Sequence, residues 1–245
     1  MSPPLAHPAV WHAHQLPAPS GQTVSSGHPA LDHALPGRGW PLGTLIELLP
    51  GLANSALELS LLQPCLQALP SRSLIVLLAP PYPPCQQAWM HHGLTQQRLL
   101  WINPNNSADA FWAATQLLRH QQHSVVCYWA PQTLTYAQQR QLHVLARQSK
   151  NLLFLITHAN MATQSSPAPL RIRYQPASRK AGKCWGLSLN LLKPSARQHE
   201  HDIYLPVWQY AQTPTMSPPH TGADLLRSSH ESLSLHCPAV QTQRH

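Results

Sequence analysis

Residues 44–69 read TLIELLPGLANSALELSLLQPCLQAL. The first six positions are apolar except for Thr44 and Glu47, Pro50-Gly51 is a breaker, and residues 55–69 form a longer run rich in apolar side chains. A short apolar run closed by Pro-Gly and followed by a longer amphipathic one is a strand leading into a helix. Working outward, the couplet recurs. Residues 73–79 (SLIVLLA) precede a helical piece over 85–92, and residues 99–102 precede a helix over 107–121 for which Ser107 is a candidate N-cap. Residues 124–129 (SVVCYW) precede a helix over about 135–148, and residues 151–157 (NLLFLIT) are a further strand-length run. Strands apolar on both faces and separated by helices predict an α/β fold, a mostly parallel sheet covered on each side. Beyond residue 169 the pattern changes. Residues 170–174 (LRIRY) and 185–192 (WGLSLNLL) are strand-like with no helix between them, which predicts an antiparallel hairpin at the C-terminal edge of the sheet.

A chain of 245 residues can bury one sizeable core. Hydrophobic residues are 43% and charged residues only 10%. Of the 26 prolines, only Pro104 and Pro131 fall within residues 101–150, so proline marks the ends of the chain. This divides the sequence into a flexible N-terminal tail (1–20), an α/β domain (21–195) and a largely disordered C-terminal extension (196–245). No apolar run reaches the roughly 18 to 20 residues of a membrane span, and the N-terminus lacks the pattern of a secretory signal, so a cytoplasmic location is expected. Five widely spaced cysteines without a C-x-x-C pair suggest neither disulfides nor a zinc site, and most read as buried thiols. His12-x-His14 and His91-His92 have no Cys or carboxylate cluster beside them, and no G-x-S-x-G elbow is present, so neither a metal site nor a hydrolase nucleophile is expected. Trp89, Trp101, Phe111, Trp112 and Trp129 lie on the core elements and read as packing.

Ahead of the first long strand, residues 26–49 read SGHPALDHALPGRGWPLGTLIELL, with a Gly-x-x-x-Leu-Asp segment, glycines at 37 and 39, and Pro41-x-Gly43 at the strand. This resembles the lead-in to the core of RecA-like recombinases. In that family the strand runs into a phosphate loop, G-x-x-x-x-G-K-[ST]. Here residues 50–58 read PGLANSALE, without the second glycine, the lysine or the hydroxyl, and with Glu58 placing negative charge near the phosphate position. The run 124–129 leads into Ala130 and Pro131 where the family has a magnesium-ordering acid. The resemblance therefore implies a RecA-like fold with a degenerate P-loop, no cofactor and no catalysis.

Over about residues 20–195 the chain is similar to the ImuA family, accessory proteins of bacterial SOS mutagenesis related to the SulA cell-division inhibitors. Leu77-Leu78-Ala79-Pro80-Pro81-Tyr82-Pro83-Pro84, residues 109–114 (DAFWAA) and Leu189-Asn190-Leu191-Leu192-Lys193 add to the likeness. SulA proteins typically lack the Leu-Asp and Gly-rich lead-in, which favours ImuA. The resemblance implies a mutasome adaptor in translesion DNA synthesis whose partners are an ImuB-type Y-family polymerase-like protein, the error-prone replicative polymerase and RecA. The alternative it leaves open is a SulA-like inhibitor acting on FtsZ.

Charge adds a candidate contact surface. The formal net charge is +8, and residues 110–199 hold eleven Lys and Arg and no Asp or Glu. An acidic partner is expected. Arg171 and Arg173 share one face of a strand, and with Arg179, Lys180 and Lys183 they read as a basic ribbon for DNA phosphates or an acidic protein surface. The competing reading is a solvated edge strand whose charges block aggregation.

Overall fold

The computed structural model describes residues 22–51, 57–91, 93–94, 99–120, 124–157, 159–179, 184–193 and 202–209. Over these the chain runs β1 (Thr23–Val24), α1 (Pro29–Ala34), β2 (Trp40–Pro41), β3 (Thr44–Pro50), α2 (Leu57–Ala68), β4 (Ile75–Leu78), α3 (Gln86–His91) and β5 (Leu99–Ile102). It continues through α4 (Ser107–His120), β6 (Val125–Trp129), α5 (Tyr136–Ser149), β7 (Leu152–Ile156), a 3-10 turn (Ala159–Thr163), β8 (Leu170–Arg179), β9 (Cys184–Lys193) and β10 (Ile203–Gln209). β1 and β2 form a small antiparallel pair, and eight strands form one sheet in the order β10-β9-β8-β3-β7-β6-β4-β5. From β8 to β5 every pairing is parallel, while β9 runs antiparallel to both β8 and β10. The α/β class and the C-terminal antiparallel strands are thus as the sequence pattern predicts.

Successive side chains of a strand point to opposite faces, and β3 shows how the two cores divide. Ile46 and Leu48 join Leu31, Trp40, Leu61, Leu62 and Leu66 beside α1 and α2. Leu45 turns to the other layer, where α4 and α5 bury Ala110, Ala114, Leu118, Leu142 and Ala146. In the first layer Trp40 meets Phe154 edge-on, ring centroids 5.2 Å apart, a geometry adding about 0.5–1.5 kcal/mol beyond area burial. The lead-in segment packs on this layer. Leu31 is fully buried, and Asp32 accepts from the Ser25 hydroxyl and the Ser26 amide at 2.6 and 2.8 Å. Burial works to raise the Asp32 carboxyl, but these bonds outweigh it and hold the group below its usual range. Gly27 has φ +78°, and a Cβ there would stand 2.3 Å from Cβ of Pro64, so the close approach of this loop to α2 requires glycine.

Two helix starts are set by local side chains. Thr135 and Gln138 form a capping box at α5. At α4 the cap is Asn106, whose side chain accepts from the Asp109 amide and donates to its carboxylate, both at 2.8 Å; Ser107, the sequence candidate, is already the first helical residue. Three other expectations are corrected. β8 is an internal strand, because β9 and β10 continue the sheet beyond it and the edge passes to β10. Residues 203–209, placed in the extension by composition, form that edge strand. Trp101 and Trp112 are 45% and 64% exposed, whereas Trp89 and Trp129 are buried as expected. Cys65 and Cys127 are buried and Cys85 is exposed. Among the described residues no helix is long and apolar enough to cross a membrane.

Candidate functional site

Open α/β sheets take ligands beyond the carboxyl ends of their parallel strands. In this chain that end of the sheet holds a carboxylate already in use. β3 ends at Pro50, opposite Tyr174 of β8, and the Gly51 amide donates to the Tyr174 carbonyl. Glu58, in the first turn of α2, is 2% exposed. Its Oε1 accepts from the indole N–H of Trp129 at 2.6 Å and its Oε2 from the hydroxyl of Tyr174 at 2.7 Å. Trp129 is the last residue of β6, the strand whose end carries no acid in this sequence. Burial first, then the Glu58 charge and the bond to it, push the Tyr174 hydroxyl far up, so it stays a donor. Two buried donors and one carboxylate satisfy each other. Residues 52–56, which contain most of the degenerate phosphate loop, lie outside the described residues.

On the opposite face of β3, Glu47 is fully buried and accepts from Nε of Arg171 at 2.5 Å. The Arg171 terminal nitrogens donate to the carbonyls of Met161, Ala162 and Gln164 at 2.7, 3.3 and 3.0 Å. The guanidinium therefore pins the 3-10 turn that follows β7 onto the sheet, and the Thr157 hydroxyl donates to Glu47 at 3.4 Å. This overturns the reading of Arg171 as a ribbon residue. It is 4% exposed, and the turn covers it. The two arginines do share one face of β8, but only Arg173 is exposed. Arg179 ends β8, with its side chain outside the described residues, and Lys180 and Lys183 lie outside them altogether. The described residues thus do not assemble the five into one surface.

No protein-family model matches this sequence, and no curated protein matches it either. The reading of the site rests on its chemistry. Each carboxylate among the described residues has a structural partner. Asp32 holds the Ser25-Ser26 loop, Glu47 holds Arg171, Glu58 holds Trp129 and Tyr174, Asp109 caps α4, and Asp202 accepts from Asn190 at 3.3 Å. Among the described residues no group of three or more His, Cys, Asp or Glu side chains is arranged to hold a metal ion. The histidines with defined contacts are also structural. His28 Nε2 donates to the Leu61 carbonyl at 3.1 Å and His143 Nδ1 accepts the Leu45 amide at 3.2 Å. Burial lowers both imidazoles from their usual value.

Sequence reasoning missed the outer faces of α4 and α5. Trp112, assigned to the core, stands in solvent with Arg119, Arg140, Arg147 and Tyr136. The signal was in the helical period. Ala110, Ala114, Leu117 and Leu118 define the buried side of α4, and at about 100° per residue Trp112 and Arg119 fall on the pole opposite.

Proposed function

We propose that this protein is a non-catalytic, RecA-like accessory protein of damage-induced translesion synthesis, an adaptor that resembles the ImuA family. The observation that carries the non-catalytic part is the closed carboxylate site. Glu58 is consumed by Trp129 and Tyr174 at the end of the sheet where a nucleotide and its metal would need free donors and a free acid. The order of elements supports the RecA-like part, since a glycine-rich lead-in feeds a central parallel strand in a sheet that ends in antiparallel strands. The partners implied by the resemblance are an ImuB-type Y-family polymerase-like protein, the error-prone replicative polymerase and RecA.

Affinity capture of the tagged protein from DNA-damaged cells, with mass spectrometry of what is bound, tests this. Recovery of RecA and a Y-family polymerase-like protein is the expected outcome. Recovery of FtsZ without them would replace the reading with SulA-like division control. Tight magnesium-dependent ATP binding by the purified protein would end the non-catalytic reading.

A further inference from the structure

α4 and α5 each leave the carboxyl end of one parallel strand and enter the next, so they run in the same direction, and they pack against one another. Each buries one side on the sheet. The opposite pole carries Trp112, Gln116 and Arg119 on α4 and Arg140, Val144 and Arg147 on α5, the same i, i+4, i+7 spacing on both. Trp112 is 64% and Val144 46% exposed, and the three arginines are exposed too. Helices pack with axes about 8–10 Å apart, and seven residues of helix span about 10 Å, so the two stripes lie side by side as one exposed face about as wide as it is long. Nothing acidic faces it from these helices beyond the capping Asp109, because residues 110–199 contain no Asp or Glu. The sole ion pair among the described residues is Arg171 with Glu47.

We infer that the α4–α5 face is a docking surface for an acidic protein segment bearing apolar side chains. Carboxylates of that segment pair with Arg119, Arg140 and Arg147, and its apolar side chains cover Trp112 and Val144. The charge sets the sign of the partner. Val144 sets its class: an aliphatic side chain between two arginines offers a nucleic acid neither a cation for phosphate nor a ring for a base, whereas it matches an apolar side chain of a protein segment. Trp and Arg are also the residue types that dominate the energetics of protein interfaces. The inference rests on the adaptor reading, for which it supplies a face and the chemistry of what binds there.

The test uses the full chain and two fluorescent probes, a 20-residue peptide alternating Glu pairs with Leu pairs and a 20-nucleotide oligo-dT, read by anisotropy at 0.1 and 0.5 M NaCl. The peptide is expected to bind and to weaken at least tenfold at the higher salt. At 0.1 M the double variant Arg140→Glu/Arg147→Glu and the single variant Val144→Asp should each lose at least tenfold. Arg72→Glu, a charge reversal of the same kind at one arginine in the turn after α2, should bind as the unmodified protein does. Oligo-dT binding through these arginines with the peptide unbound would overturn the inference in favour of nucleic acid, and binding of neither probe would overturn it outright. Capture from damaged cells separates the two levels. If the double variant retains every partner, the docking face is wrong while the adaptor reading stands; if the unmodified protein binds the peptide but captures no mutagenesis partner, the adaptor reading fails and the face remains.

Discussion

Replacing Arg171 by methionine should unfold much of the stability margin of this protein. The guanidinium bonds Glu47 and three carbonyls of residues 161, 162 and 164, and both side chains of the pair are almost fully buried. Methionine keeps most of the volume but leaves Glu47 a buried charge whose remaining hydrogen bond comes from Thr157. Deleting one partner of a buried pair costs about 3–5 kcal/mol, against a total of roughly 5–15 kcal/mol for a typical domain. The companion double variant Glu47→Leu/Arg171→Met removes the stranded charge as well. Apolar replacement of a whole buried pair is often neutral, so it should return to within about 1–2 kcal/mol of the parent. Urea unfolding, with midpoints compared at a common slope, measures both. The exposed neighbour Arg173→Met is the control and should stay within about 0.5 kcal/mol. If Arg171→Met costs no more than Arg173→Met, the buried pair is not what holds the turn after β7.

Glu58→Ala strands two buried donors at roughly 1–3 kcal/mol each, so a loss of about 2–6 kcal/mol is expected in the same urea assay, and Glu58→Gln, which keeps one acceptor, should lose less. A loss in Glu58→Ala with none in Glu58→Gln would mean that packing and not the carboxylate matters there. Burial, then the charge of Arg147, hold His143 below its ordinary value, and Nδ1 must be unprotonated to accept the Leu45 amide. The unfolded chain then binds more protons, so this contribution is full above about pH 6.5 and fades as pH falls through the folded value. The urea midpoint should drop on acidification to about pH 5.5, and the drop should shrink in His143→Gln; an unchanged drop would refute the assignment. Burial pushes the Cys65 thiol up to about 12 and raises Cys127 still further, whereas Cys85 is exposed. A maleimide pulse mapped by mass spectrometry should label Cys85 in the native protein and leave Cys65 and Cys127 unmodified until denaturant is added; native labelling of Cys127 at a comparable rate would contradict its burial.

The central strands β3, β4, β6 and β7 were legible because each is a largely apolar run of strand length, buried on both faces. Glu47 interrupts such a run, and its partner lies 124 residues away, so neither local periodicity nor charge spacing could pair them. The same blindness put Arg171 on a ribbon. Alternation correctly gave it and Arg173 one face, but whether that face is covered depends on a turn from another part of the chain. β10 was hidden although residues 203–209 (IYLPVWQ) are largely apolar, because Pro206 interrupts the run and polar residues flank it on both sides, while the pairing with β9 that makes it a strand is not local. Of the candidate site, the missing acid after β6 was readable, but Trp129 standing in its place as a donor to Glu58 was not, since an indole in a core strand looks like packing alone.

The pairing of Glu58 with Trp129 and Tyr174 has a consequence for timing. A ligand shifts a conformational equilibrium only through a difference in its affinity for two states. An adaptor of the kind proposed, with Glu58 already bound to Trp129 and Tyr174, would have no nucleotide cycle to start or stop it. The output of such an adaptor would follow its copy number and those of its partners, so synthesis and degradation would set the length of the response and dilution would silence it.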